Sequence, residues 1–146
     1  MTTTTPPEPT LEVVEDVDQA DNDFVHNGLR GYNKQFTPDD WRRLCVFLRD
    51  AGGAIVGGLL GDTHWGWLAV HILWLDERYR GQGYGDRILG AAEAEARARG
   101  CRHVQLDTFT FQARPFYEAR GYRVFGQVDD YPAGTDYTRY YLTKPL

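Results

Sequence analysis

The segment Arg80-Gly81-Gln82-Gly83-Tyr84-Gly85 has the residue types and spacing of a phosphate-binding turn. Glycines let the backbone approach a ligand closely, and an amphipathic helix is predicted to begin at Tyr84. The first N–H groups of a helix have no acceptor within the helix, and they lie at the positive end of its dipole. The sequence therefore predicts an anion site here, and a phosphate group is its expected ligand.

Two common phosphate-binding motifs do not fit this turn. The dinucleotide fingerprint G-x-G-x-x-G requires a glycine at position 86, where the chain has Asp86. The nucleotide-triphosphate loop requires Gly-Lys-Ser/Thr after the glycines, and no such tripeptide follows. The turn is therefore predicted to bind the pyrophosphate of a different kind of ligand.

Composition limits the class of protein. The chain has 146 residues, of which 42% are hydrophobic, so we expect a folded domain that needs no disulfide or structural metal. The first nine residues lack the features of a secretory signal. We therefore predict a flexible N-terminal tail over 1–9 and a single domain over 10–146.

The charge and the cysteine content of the chain indicate which binding partners and which cellular compartment to expect. The formal net charge is -5, which disfavours nucleic acid and suits a cationic small molecule. No stretch approaches the roughly 20 apolar residues of a membrane helix. Cys45 and Cys101 have neither disulfide nor zinc spacing, which indicates a reduced, cytoplasmic location.

Hydrophobic periodicity predicts an α/β (α+β) fold with a mixed sheet of about seven strands and helices on both faces. Turns are predicted at 50–53 and 61–63, and the nearly apolar run from Trp65 to Leu75 indicates a central strand buried on both faces. In chain order, the predicted elements are a strand at 11–17, a helix at 18–32, strands at 42–49, 54–60 and 65–75, a helix at 84–99, a strand at 103–108, a helix at 114–120, and strands at 122–128 and 138–143.

The glycine turn resembles the R/Q-x-x-G-x-G/A motif of the GNAT superfamily of N-acetyltransferases. The resemblance extends to the phrase Leu73-Trp74-Leu75-Asp76-Glu77 before the turn, to Gly100 at the helix end, and to Phe116-Tyr117-Glu118-Ala119-Arg120-Gly121-Tyr122. It implies a mostly antiparallel sheet with a splayed parallel central pair. It also implies acetyl-CoA as cosubstrate, and a homodimer is a reasonable expectation.

The resemblance also implies residue roles. The turn amides would bind the coenzyme A pyrophosphate, and backbone N–H groups before the turn would stabilise the oxyanion that forms on the thioester. The family often has an asparagine where this chain has Phe111, and Gln112 is adjacent and able to take its place. The implied cofactor-binding residues are Leu73, Trp74, Leu75, Arg80, Gly81, Gln82, Gly83, Tyr84, Gly85, Gln112 and Tyr117.

Acetyl transfer requires a neutral amine, although primary amines with a pKa of about 10.4 are mostly protonated at pH 7. We predict His71 as the base, because strand alternation places it on one face with Trp65, Trp67, Ala69 and Leu73, and the arylalkylamine branch of the superfamily has a histidine at a similar place. The histone-modifying branch has glutamate at the position of Ala69. The alternatives are that His71 is a core histidine, or that only ordered water relays the proton.

Tyr117 matches the family tyrosine that faces the coenzyme sulfur, and we predict it as the acid that protonates the leaving thiolate. Its alternative is a packing role. Asp107 and Glu118 are further candidate proton acceptors. The acceptor pocket would be framed by aromatic and polar side chains, with aspartates nearby to attract a cation: Tyr32, Asn33, Gln35, Trp65, Trp67, Phe109, Tyr131, Asp129, Asp130 and Asp136.

The predicted function is acetyl-CoA-dependent acetylation of a primary amine on a small molecule. Two alternatives stay open at this point. One is acetylation of a lysine or an N-terminal amine on a protein, and the other is an acyl-CoA-binding regulatory module without turnover.

Overall fold

The computed structural model describes residues 4–146 in two compact units, which divide after Asp39. Part of the predicted tail, residues 1–3, lies outside the described residues, and the single-domain boundary at residue 10 stays a prediction. No helix within residues 4–146 is long and apolar enough to cross a membrane.

The first unit contains one helix, α1, at Gln19–Asn33. Asp18 caps its N-terminus, because the carboxylate accepts a hydrogen bond from the Ala20 amide at 2.7 Å. The predicted strand at 11–17 is wrong, since these residues form no strand. Leu11 and Val13 are fully exposed, so their alternating pattern has no neighbouring strand or core to pack against.

The second unit is built on a six-stranded sheet. Its strands are β1 at Arg42–Arg49, β2 at Ile55–His64, β3 at Trp67–Leu75, β4 at His103–Phe109, β5 at Arg123–Asp129 and β6 at Thr138–Pro145. They lie side by side in the order β1-β2-β3-β4-β6-β5. β3 and β4 are its parallel pair, and the other neighbours are antiparallel. The prediction of a mixed, mostly antiparallel sheet is confirmed, with one strand fewer because 11–17 does not join it.

Two helices of this unit bury their apolar sides in the sheet's core. They are α2 at Tyr84–Ala98 and α3 at Arg114–Glu118. Gly100 ends α2 with a φ of 83°, a conformation that side-chain-bearing residues resist. The core includes residues from both helices and from every strand except β5, among them Leu59, Leu68, Leu89, Val104, Tyr117 and Leu142.

A buried ionic cluster fixes α2 to the last strand. Glu93 of α2 is 6% exposed and accepts hydrogen bonds from Lys144 Nζ at 2.9 and 3.1 Å and from the Tyr122 hydroxyl at 2.8 Å. Because the carboxylate has hydrogen-bonded partners, its burial is tolerated. The cluster therefore holds the helix whose N-terminus follows the glycine turn.

The turn between β2 and β3 lies further along the chain than predicted. Residues 61–63 belong to β2, and the hairpin reverses at Trp65 and Gly66, whose φ angles of 51° and 79° are both positive. This is a two-residue hairpin turn of the type that matches the twist of paired strands. The correction places Asp62 inside a strand, beside β3.

Candidate active site

A β-bulge interrupts the pairing of β2 with β3. Leu60 pairs with Ile72, whereas the next residue, Gly61, pairs with Val70, so His71 is the extra residue on β3. Gly61 is required at this place, because a Cβ there would overlap the carbonyl oxygen of Ala69. The sequence thus builds the bulge with a glycine on the opposite strand.

The bulge changes which side chains share a face of β3. Val70 lies in the core before the bulge, and Leu73 and Leu75 pack against the core after it. The prediction that Leu73 shares a face with Trp67 and His71 is therefore wrong. The prediction of burial on both faces is wrong as well, because the exposed residues of β3 are Trp67, His71, Ile72 and Trp74.

The parallel pairing of β3 with β4 is short. It runs from Trp67 opposite His103 to Val70 opposite Leu106, and it ends there although both strands continue. Beyond this point the strands are splayed, as predicted. His71 is the first residue of β3 past the last paired position, so it lies where the gap between the strands opens.

The gap leaves strand amides available. Leu73, Trp74 and Leu75 pair with β2 on one edge and have no β4 partner on the other. Since successive N–H groups of a strand point to opposite edges, these three residues direct at least one N–H toward the gap. A backbone donor at this position is suited to stabilising negative charge on a carbonyl oxygen.

His71 has a carboxylate partner that sequence reasoning missed. Its Nε2 lies 2.6 Å from Oδ2 of Asp62 on β2. The imidazole is 59% exposed and the carboxylate only 18%. The histidine is therefore accessible to solvent while a mostly covered aspartate binds its Nε2. The turn at Trp65 and Gly66 brings residues 62 and 71 to neighbouring strands, but Trp-Gly does not usually indicate such a turn, so the sequence carried no clear signal for this pair.

The glycine turn leaves its amides open. Gly81 and Gly83 have φ angles of 73° and 85°, and Gly83 is the N-cap of α2 without a side-chain cap. The first amide of α2 that finds an acceptor is Arg87, which donates to the Gly83 carbonyl at 3.1 Å. Within residues 4–146, the N–H groups of 84–86 have no acceptor, which is the arrangement an anion needs.

Two side chains of the turn bind the protein itself. Arg80 donates from Nε to the Leu75 carbonyl at 3.0 Å, and Gln82 donates from Nε2 to the Arg78 carbonyl at 3.0 Å. These bonds tie the turn to the end of β3. The Nη groups of Arg80 and the second N–H of Gln82 are not used by these bonds, so they add side-chain donors to those of the backbone.

Contacts between α2 and α3 shape the other side of the turn. A Cβ at Gly85 would stand 3.4 Å from the Phe116 ring, so the helices approach closely here. Asp86 would repel an anion at the helix N-terminus, but Arg120 pairs with it at 2.6 Å. The guanidinium also lies 3.6 Å from the centroid of Phe116. The acidic side chain is therefore neutralised locally.

Tyr117 combines a buried ring with a free hydroxyl. The residue is 6% exposed and packs edge-on against Phe116 and Tyr122. Burial, with a smaller contribution from the negative charge of Asp107, raises the pKa of Tyr117 to about 12. Among the described residues its hydroxyl has no hydrogen-bond partner, and none of their fully buried side-chain polar atoms lacks one. The hydroxyl therefore reaches solvent as a neutral donor.

Gln112 stabilises the loop after β4. Its Oε1 accepts from the Phe109 amide at 3.1 Å and from the Thr108 hydroxyl at 3.3 Å. The carbonyl end is thus engaged in the loop, and the amide end remains for the ligand contact predicted at this position.

The remaining candidate acids and aromatics fall into separate clusters. Asp107 pairs with Arg139 at 2.9 Å, and Glu118 pairs with Arg114 at 2.6 Å. Both are therefore less available as proton acceptors than His71. Arg139 also lies over three aromatic rings, those of Phe109, Tyr131 and Tyr141, while Trp67 stacks on His103.

The chain belongs to the acetyltransferase (GNAT) family, whose family model matches residues 12–122. The predicted family and the prediction that the chain is an N-acetyltransferase are confirmed. Members of this family use acetyl-CoA as the acetyl donor, which confirms the predicted cosubstrate.

One relative and two solved structures show what the chain is similar to. It is 44% identical over 95 residues to blasticidin-S acetyltransferase of Streptomyces morookaense, covering 64% of this chain and 68% of the relative. An acetyltransferase structure from Bacillus cereus is 31% identical with a TM-score of 0.78, covering 92% and 98%. A Bacillus anthracis protein, solved with acetyl-CoA, shares the fold at 20% identity, with a TM-score of 0.63 and coverage of 79% and 68%.

Proposed function

We propose that this protein transfers the acetyl group of acetyl-CoA directly to a primary amine of a small molecule. The observation that carries the proposal is the position of His71, which lies where the two parallel strands separate and is 59% exposed there. An imidazole at this place can accept a proton from an amine that enters the gap.

The glycine turn fits the pyrophosphate of coenzyme A. The amides of residues 84–86 are free, and a Cβ added at Gly81 or Gly83 would meet no atom within 4 Å, so a ligand can reach the backbone of both glycines. Bound there, acetyl-CoA supplies an activated thioester. The turn binds and orients the ligand, while a strand N–H within Leu73–Leu75 that faces the gap attracts the negative charge that develops on its carbonyl oxygen.

The small-molecule acceptor is supported by two observations. The formal net charge of -5 favours a cationic amine. The relative that is 44% identical carries the name of an antibiotic, blasticidin S, as its substrate. Blasticidin S therefore enters the set of amines to be tested, beside polyamines, arylalkylamines and amino sugars.

The test is acetyl-CoA turnover over a panel of small amines, measured as release of free thiol. We expect at least one small amine to give saturable turnover with stoichiometric acetylation, verified by mass spectrometry of the product. Lysine-containing and N-terminal peptides form the comparison set. Turnover with peptides but with no small amine would overturn the proposal in favour of protein acetylation.

Tyr117 is proposed as the acid for the departing thiolate, because its pKa of about 12 keeps it neutral and its hydroxyl is free to donate. We expect Tyr117→Phe to lower the single-turnover rate by about 10-fold or more, with acetyl-CoA affinity and thermal stability nearly unchanged. Rapid mixing of amine with cofactor-saturated protein measures this step without interference from product release. Equal rates in both proteins would leave Tyr117 with a packing role.

A further inference from the structure

We infer that Asp62 is a positioning residue that makes Nδ1, and not Nε2, the proton-accepting atom of His71. This inference rests on the proposed role of His71 as base. The observation behind it is the 2.6 Å contact between His71 Nε2 and Asp62 Oδ2, which joins two strands across the bulge.

The chemistry of the two groups sets the direction of this hydrogen bond. An ionised carboxylate has no hydrogen to donate, so Nε2 carries the proton and donates it to Asp62. In a neutral imidazole the other nitrogen then holds the lone pair. Nδ1 is therefore the basic atom, and Cε1 separates it from the nitrogen that binds the aspartate.

The register of β2 and β3 explains why the two residues meet. In an unbroken ladder each residue of β3 would have its own partner on β2, but His71 has none and Asp62 pairs in register with Ala69. His71 lies two residues beyond Ala69, so it is the diagonal cross-strand neighbour of Asp62 and its imidazole can reach the carboxylate. Asp62 is 18% exposed, so its orientation is restricted by packing as well as by this hydrogen bond.

The same bond has an electrostatic consequence for the reaction. When Nδ1 takes a proton from the amine, the ring becomes positively charged and stands against a carboxylate at 2.6 Å. Both nitrogens then donate hydrogen bonds, and Asp62 stabilises the charge without itself taking up a proton. The pair therefore fixes the tautomer before the reaction and stabilises the imidazolium that results.

The inference is tested first on the unaltered protein by ¹⁵N NMR of the histidine ring, at a pH where the imidazole is neutral. We expect His71 to be the Nε2–H tautomer. A population that is mainly the Nδ1–H tautomer would overturn the inference without any variant being made. The signal that is missing from the spectrum of the His71→Ala variant is the one that belongs to His71.

The second test is Asp62→Asn, which keeps the shape but offers an amide that can also donate. We expect the His71 signal to shift toward the Nδ1–H tautomer and kcat to fall by about 10-fold or more, with the Kd for acetyl-CoA within about twofold. Asp40→Asn is the matched control, because Asp40 has the same charge but accepts from the Trp65 amide instead. The Asp40→Asn control should leave the tautomer of His71 and the kcat unchanged.

A double variant separates this inference from the proposed function. If Asp62 acts through His71, Asp62→Asn should cause no further loss of kcat in the His71→Ala background. A full additional loss there would overturn the inference. Native turnover in His71→Ala alone would instead contradict the proposed base, while the NMR result would still decide which nitrogen carries the proton.

Discussion

Replacing His71 with alanine is expected to lower kcat by about 100-fold or more, because a positioned general base contributes between about 10² and 10⁴ in rate. The side chain is 59% exposed and takes no part in the core, so the fold and the acetyl-CoA site should remain. The measurement is steady-state thiol release under saturating acetyl-CoA, together with a calorimetric Kd for the cofactor. The acidic limb of the pH–rate profile should be lost with the imidazole.

The control for this variant is His64→Ala on the neighbouring strand. His64 stacks on Trp65 and does not lie at the gap between β3 and β4, so its loss should change kcat little. Near-native turnover in His71→Ala, with an unshifted pH profile, would remove His71 from the mechanism. Ordered water would then be the remaining proton acceptor.

Gly83→Val is expected to weaken acetyl-CoA binding by about 100-fold and to abolish the rise in Tm that the cofactor causes. The φ of Gly83 is 85°, and a β-branched residue is strongly disfavoured in that conformation. A displaced N-cap would rotate the free amides of α2 away from the anion. Because a ligand bound only by the native state stabilises it by mass action, the Tm shift reports the loss directly.

Gly90→Val provides the matched control for Gly83→Val. Gly90 lies within the same helix, a Cβ added there would meet no atom within 4 Å, and the position does not require a positive φ. The control should fold and should keep the full cofactor-induced shift. A normal shift in Gly83→Val, under conditions where the protein remains folded, would place the cofactor elsewhere on the molecule.

Elements bounded by strong local signals were predictable from the sequence. The helix predicted at 84–99 is observed at Tyr84–Ala98, because a glycine turn precedes it and Gly100 ends it. The central place of β3 also followed from its apolar run. Both predictions depend on residues that are close together along the chain.

Other predictions failed because a strand depends on its partners. Residues 11–17 alternate like a strand, yet Leu11 and Val13 are fully exposed and the segment joins no sheet. The hairpin turn was misplaced at 61–63 because the glycine-containing tripeptide there looked like a turn, whereas the chain reverses at Trp65 and Gly66. Trp-Gly is not among the residue pairs that usually indicate this turn.

The sequence by itself determined the family, the cosubstrate class and the glycine turn, since these depend on short motifs whose residues are adjacent along the chain. Only the tertiary structure decided that His71 occupies a bulge, that the parallel strands part just before it, and that Asp62 binds its ring. Strand register determines each of these features. Register depends on pairing between distant segments, so local residue types alone could not show it.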